Sequence, residues 1–424
     1  MWNIYGKKYD LTKFIEFHPG GKDIIQKTKN QKDITALFET YHAFSNIDKI
    51  KNSLNKYEIT FTNENTNENT NENTNSKEIY KYDFTNYHKL LEEVKVIFPN
   101  RISIKSTPFF VIIDCIICLT YISCFITGMF SSYSLFFRTF CSFIAGLAYI
   151  SLGFNVMHDA SHFAISTNEN VNNILNKIWH SWGLWNSKIW FYHHVYNHHS
   201  FTGIENNDPD LYHLRPFGQK VATNAKMNNY SLSNNWLLKN QSYTLPYFLF
   251  LFPGQYFGQC ISYLLTLTKQ KIFTIKLHDN NHYDVMDILL IITKLFCLYK
   301  GLCFNTIVYI ISLNFWYSIN IVGDHDTYET AIENHYNGND WCKMQICNSG
   351  NFVINSMIWT YLFGGINYQI EHHLFPNVSH IHYPAISIIV QKYCKDNNIP
   401  YANQNSMYET YKSFLKMMKY RSFH

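Results

Sequence analysis

Apolar positions divide this 424-residue chain into unequal stretches. In residues 1–59 the alternation is short. Trp2, Ile4, Tyr5, Tyr9 and Leu11 alternate with polar residues around Gly6, a pattern that predicts a small β-hairpin. Pro19, Gly20 and Gly21 then force a turn, and a helical pattern follows around Leu37, Phe38 and Tyr41. Residues 60–78 include Asn-Glu-Asn-Thr three times, from Asn63 to Thr74; a repeat with nothing apolar to bury predicts a disordered tether. Beyond residue 79 the pattern changes. Pro108 to Phe130 is an apolar run of 23 residues broken only by Asp114, enough at about 1.5 Å per residue to cross a bilayer core of about 30 Å. Residues 134–156 form a second run, and Ser131-Ser132-Tyr133 makes the two an antiparallel hairpin. Two more runs lie at 281–300, carrying Lys294, and 301–322. Thr244 to Thr268 is apolar but broken by Pro246, Pro253 and Gly254, and predicts a helix lying in the membrane interface. The domain expectation is a small α+β unit at 1–59, a linker at 60–78 and a mainly helical membrane domain at 79–424 with four spans and a helical cap.

Composition agrees with that layout. Charged residues are 16% of the chain, against about 25% in soluble proteins, while aromatic residues reach 17%. A net charge of +4 is too small to imply nucleic acid and supports at most a mild attraction to an anionic membrane surface. Seven of the ten cysteines, including the formal C-x-x-C pair Cys115 and Cys118, sit inside apolar runs and read as small hydrophobes. The N-terminal segment has no apolar signal core, which leaves the N-terminus in the cytosol.

Histidine carries the candidate chemistry. His158 and His162 follow the second span at i, i+4; His194 and His198 repeat that spacing with His199 beside them; His372 and His373 come far downstream, with Gln369 three residues ahead; His325 sits where the fourth span ends. Neutral imidazole is the commonest side-chain metal ligand, and eight at one membrane face exceed what a single ion needs, so two metals are implied. A nitrogen set without thiolates suits iron, copper or zinc. An even number of crossings returns every cluster to the same side, which fixes the reading of four spans. Asp159 and Asp208 are candidates for orienting imidazoles from behind, as is Gln369. In the N-terminal domain His18 and His42, 24 residues apart and surrounded by aromatics, can clamp a planar haem from both faces.

The motif His18-Pro-Gly-Gly with Tyr41-His42 downstream resembles a cytochrome b5 domain, which implies haem b with His18 and His42 as axial ligands. His158-Asp-Ala-Ser-His162, the 194–199 cluster and Gln369-Ile-Glu-His-His-Leu-Phe-Pro resemble the three histidine boxes of membrane fatty-acyl desaturases. Gln369 stands where most of that family has histidine, which together with the b5 fusion resembles the front-end desaturases; the run His198 to Asp210 is most similar to delta-5 members. The resemblance implies two non-haem irons on His158, His162, His194, His198, His199, His325, His372 and His373. It also implies O2 as oxidant and an acyl-CoA or phospholipid acyl chain as substrate. A separate NADH-dependent cytochrome b5 reductase would feed electrons through the haem. Reduction of O2 to water takes four electrons; two come from substrate C–H bonds and two arrive singly through the haem. The implied location is the endoplasmic reticulum membrane, with both termini and the site cytosolic. A sphingolipid delta-8 or a delta-6 acyl desaturase stays open, as does a membrane hydroxylase. From another class, a membrane haem carrier with an inactive metal site stays open too.

Overall fold

The computed structural model describes residues 1–59, 82–212, 236–250, 283–301 and 304–422, with positions 218, 220, 260, 261, 264, 271–272 and 275–276. The predicted tether at 60–78 lies outside the described residues, as does most of the predicted interfacial helix at 244–268.

The N-terminal unit begins with the expected hairpin. Trp2–Ile4 pairs antiparallel with Lys7–Tyr9, with Trp2 opposite Tyr9. Tyr5 and Gly6 form the turn at φ +53° and +73°, the left-handed pair that a two-residue hairpin turn requires. Trp2, Ile4 and Tyr9 face inward and are buried. Helices Lys22–Thr28, Thr35–His42 and Ile47–Leu54 complete the unit.

Among the described residues two helices are long and apolar enough to cross a membrane. They are Pro108–Phe130, with mean hydropathy 2.5, and the helical stretch Leu135–Ser161, with mean hydropathy 1.7. They pack as the predicted hairpin, and Phe304–Ile321 packs along the second of them. Val285–Lys300, begun by a capping box on Asp284, lies against the first. Residues 281–282 and 302–303, at the edges of the last two expected spans, lie outside the described residues. Phe109, Ile112, Ile116 and Leu119 on one helix, Phe136 and Phe140 on the next and Leu289, Ile292 and Ile307 on the others are exposed. An apolar belt of that extent needs lipid to cover it.

Two features of the bundle differ from a plain reading of hydropathy. Glu169–Trp182, in the stretch expected outside the membrane, packs along Val285–Lys300. The Ser181 hydroxyl donates to Asp287 at 2.6 Å, and Lys177 pairs with Asp284. The buried side of this helix is largely polar, with Asn172, Asn176, His180 and Ser181 beside Trp179, while Val171 and Ile174 are exposed. Lys294, a charge within the helix Val285–Lys300, donates to the Tyr121 and Tyr309 hydroxyls at 3.0 and 2.8 Å, with the Phe125 and Trp182 rings 4.3 and 4.8 Å from its nitrogen. Hydroxyls and ring faces give the amine the partners that lipid would deny it.

Above the bundle the cap brings distant segments together. Thr85–Ile97 buries Tyr87, Leu90, Leu91 and Val94 against Trp341–Asn348 and Tyr383–Asp396. The described part of the 244–268 region, within Gln241–Phe250, rests on Phe304–Ile321 and on the C-terminal helix Met407–Arg421.

Candidate metal centre

Three chain segments and a lone residue deliver the eight histidines. The second span does not end as a regular helix. Gly153–His158 is π-helical, and a last short turn carries Asp159–Ser161 to His162. Phe191–His198 is π-helical as well. A wider turn changes which residues meet, because i and i+5 then share a face. His199 Nε2 lies 3.2 Å from His194 Nε2, while the rings of His194 and His198 stack with centroids 5.3 Å apart, their ligand atoms within 4.8 Å of each other beside Asp210. The i, i+4 pair of His194 and His198 thus stays together, and the wider turn adds His199 at i+5. The third segment, Gln369–Leu374, is fixed by Asn351: its side-chain amide donates to Glu371 at 2.7 Å and its oxygen accepts from the Ile370 N–H.

Among the described residues the ligand atoms fall into two neighbouring groups, His158, His162, His194 and His372, and His198, His325 and His373, bridged by a third of His194, His198 and Asp210, each within 4.8 Å. His199 lies between them, its ring stacked on His373 at 4.3 Å. All are buried except His325, which is half-buried.

The outer ring nitrogens are held from behind. His162 Nδ1 meets the Tyr41 hydroxyl at 2.8 Å, and His198 Nδ1 meets Asp208 at 2.9 Å. His325 Nδ1 meets the Asn348 carbonyl at 2.8 Å, and His372 Nδ1 meets the Tyr383 hydroxyl at 3.1 Å. His373 Nδ1 meets Gln345 Oε1 at 2.9 Å and Thr202 Oγ1 at 3.0 Å. With Nδ1 protonated and donating, Nε2 of His162, His325, His372 and His373 offers a lone pair inward. Nε2 atoms also face one another: His158 and His194 at 2.9 Å, His198 and His325 at 3.1 Å. Nε2 of His162 and of His372 has no hydrogen-bond partner at all. Acceptors pressed together in a dry cavity repel unless cations lie between them, so this donor set fits two metal ions and fits little else.

Electrostatics agree. Burial and the neighbouring imidazoles hold His162, His194, His199, His372 and His373 well below the usual histidine range, so they are neutral, as ligands must be. Burial also pushes His325 down to about 3. Burial pushes His198 down too, but Asp208 and Asp210 outweigh it and push the imidazole up to about 9. A metal on His198 would therefore have to displace a proton.

The candidates for outer support are placed unequally. Asp208 faces His198. The Asp159 carboxylate turns away from the eight histidines and accepts from the Ser379 hydroxyl and the His380 ring, both at 2.9 Å. Gln369 lies inside the second group, its amide nitrogen 2.9 Å from His325 Nε2 and 3.3 Å from His373 Nε2. Tyr41, Thr202, Gln345, Asn348 and Tyr383 were not singled out from sequence. No spacing ties them to the boxes, and only the folded cap puts them there.

An apolar pocket leads to the cluster. Tyr149, Phe154, Met157, Trp179 and Trp185 form its apolar walls, and His158, His194, His198 and His325 line its polar side together with Asp210, Lys220, Asp324 and Asp326. Its volume is about 90 Å³.

The second candidate centre lies in the N-terminal unit. The rings of His18 and His42 face each other with centroids 6.1 Å apart. Two metal–nitrogen bonds of about 2 Å and two ring radii account for that separation. Nδ1 of His18 donates to the Gly21 carbonyl at 3.2 Å and Nδ1 of His42 to the Phe38 carbonyl at 2.8 Å, which leaves both Nε2 atoms free for a metal. Gly21, at φ +90°, makes the turn that places its carbonyl there. Burial lowers both rings, His42 to about 4. A cavity of about 360 Å³ surrounds them, lined by Leu11, Phe14, Leu37 and Leu54 and, from the larger domain, by Arg101 and Phe163. The donor pair and its apolar surround fit haem.

Comparison with known proteins agrees with both centres. Residues 134–405 match the family described as fatty acid desaturase, and residues 1–96 match the cytochrome b5-like heme/steroid binding domain. The chain is 27% identical over 439 residues to an acyl-lipid (8-3)-desaturase of Mortierella alpina, covering 98% of this chain and 92% of that one. It is 28% identical over 416 residues to an acyl-lipid (8-3)-desaturase of Physcomitrium patens, covering 94% and 83%. A delta(5) fatty acid desaturase A of Dictyostelium discoideum is 25% identical over 430 residues, covering 94% and 85%. An oxidoreductase family that uses two irons, a haem domain ahead of it and a buried imidazole cluster describe one design: this chain belongs to the membrane-bound fatty acid desaturase family and carries a fused cytochrome b5-like domain.

Proposed function

We propose that this protein is a front-end acyl desaturase that inserts a cis double bond at the delta-5 position of an already unsaturated chain. The observation that carries the reading is the convergence of seven imidazoles in two neighbouring groups, with His199 between them, beside an aromatic-walled pocket. In this reading His158, His162, His194 and His372 hold one iron, His198, His325 and His373 hold the second, and His199 stands between them. With both irons bound the centre supplies the activation of O2 that removes two hydrogens from adjacent methylenes. The aromatic walls hold the acyl chain and exclude water, so that the methylenes meeting the histidines are set by packing. Asp208, Tyr383, Thr202 and Gln345 keep each imidazole in the tautomer that points Nε2 inward. His18 and His42 hold haem b, which a separate NADH-dependent reductase reduces one electron at a time. The substrate is an acyl-CoA or a phospholipid acyl chain, and the site faces the cytosol at the endoplasmic reticulum. The delta-5 assignment follows the run from His198 to Asp210 and the names of the relatives.

The test is expression in a yeast that lacks such activity, with unsaturated fatty acids supplied singly and products read by gas chromatography of the position-specific derivatives. A new bond at carbon 5 is the expected result. A bond at carbon 6 or 8, or in a sphingoid base, would reassign the substrate; no product together with no bound non-haem iron would leave a haem carrier.

A further inference from the structure

The N-terminal unit is not merely tied to the desaturase domain but seated on it. The Tyr196 hydroxyl donates to the Asp33 carbonyl at 3.0 Å, Glu39 pairs with His88 at 2.9 Å, and the ring of Phe44 meets Phe375. One contact in this interface differs from the rest, because it joins the two metal-binding regions directly. Tyr41 precedes the haem-facing His42 in the same helix, and successive side chains of a helix point in different directions. His42 faces His18, while the Tyr41 hydroxyl reaches His162 Nδ1 at 2.8 Å, beside Phe163. His162 Nε2, on the other side of that ring, has no partner and belongs to the first ligand group. One peptide unit, one phenol ring and one hydrogen bond therefore separate the two imidazoles.

We propose that Tyr41 is the positioning residue that connects the two centres: it fixes His162 with its Nδ1–H donated to the phenol oxygen, and it completes a bonded route from the haem ligand His42 to the metal ligand His162. With haem and metal bound, this route would pass one electron at a time from the His42 side to the His162 side, the one-electron oxidation of the haem balancing a one-electron reduction of the metal site. No bond forms or breaks, and the protons on Nδ1 and on the phenol stay in place. The inference rests on the reading of His42 and His162 as ligands. It makes haem-domain docking part of the metal site, since a side chain of the first domain holds a ligand of the second.

The test uses full-length protein loaded with haem and iron, and the variant Tyr41→Phe. The variant keeps its haem spectrum, its haem midpoint potential and its rate of haem reduction by reductase. After reduction, reoxidation of the haem band by O2 in the presence of acyl substrate slows by about 10- to 100-fold per bound non-haem iron, the range expected when a group supporting a ligand is removed. A purely structural role for Tyr41 would move the spectrum or potential instead. Reoxidation at the wild-type rate overturns the proposal. Should Tyr41→Phe fail to retain haem, 3,5-difluorotyrosine at position 41 keeps ring and hydroxyl but weakens the oxygen as an acceptor; slowed reoxidation supports the route and an unchanged rate removes it. Absence of haem or of non-haem iron in the wild-type protein would instead strike the ligand reading itself.

Discussion

The haem cradle and the eight-imidazole cluster place neutral histidines against metal in opposite ways. The cradle is local. His18 and His42 are 24 residues apart in one small unit, each ring held by a carbonyl three or four residues away. The cluster is assembled across the chain. Its ligands span residues 158 to 373, and the groups behind them come from residues as far apart as Tyr41 and Tyr383. A local site needs its own helices and little else. A dispersed site needs the bundle, the cap and the docked first domain together, and damage to any of these reaches it.

The largest expected effect strikes the dispersed site. His373→Ala leaves His199, His325 and Gln369 facing a gap, and should abolish product while lowering bound non-haem iron and leaving the haem spectrum intact. Iron analysis and visible spectroscopy on one sample separate the two centres; unchanged iron would take His373 out of the site. His18→Ala should do the converse, with haem lost, non-haem iron kept, and no product from membrane-inserted protein. Normal product from this variant would sever the haem from the reaction.

Smaller effects sharpen the contrast. Tyr383→Phe leaves His372 Nδ1 without its partner and should weaken iron retention by about 10-fold, measured by chelator competition, with no change in the cradle. Acidity tests the cradle. Burial holds His42 down to about 4 against an unfolded value of about 6.5, so the folded haem-free protein binds fewer protons than the unfolded chain in that window. Stability of the haem-free N-terminal unit should therefore be complete above about pH 6.5. It should fall as pH drops toward 4, by at most about 1.4 kcal/mol per pH unit, read from urea unfolding of the full chain. Smallest of all, doubling the Asn63–Thr74 repeat should change turnover less than about two-fold. Lengthening a loop two-fold costs only about 0.6 kcal/mol, and the docking contacts rather than the linker hold the unit in place.

Much of this was legible in residue order because the controlling physics is short-ranged. Alternation at Trp2–Tyr9 and the Tyr5–Gly6 turn dictate the hairpin, and apolar runs of bilayer length dictate Pro108–Phe130 and its antiparallel partner. The same holds for the histidine clusters, whose residue type alone restricts the chemistry. Tertiary structure decided what depends on the path of the backbone in space. The π-helical turns bring His199 as well as His198 beside His194, an i+5 contact that spacing rules built on 3.6 cannot see. Asp159 turns to His380 because the chain returns there from more than two hundred residues away. Tyr41 reaches His162 only because one domain is seated on the other. Sequence determines which groups are available and which local shapes they take. Which nitrogens share an ion, and which side chains steady them, is fixed by contacts between segments whose distance along the chain carries no record of their distance in the fold.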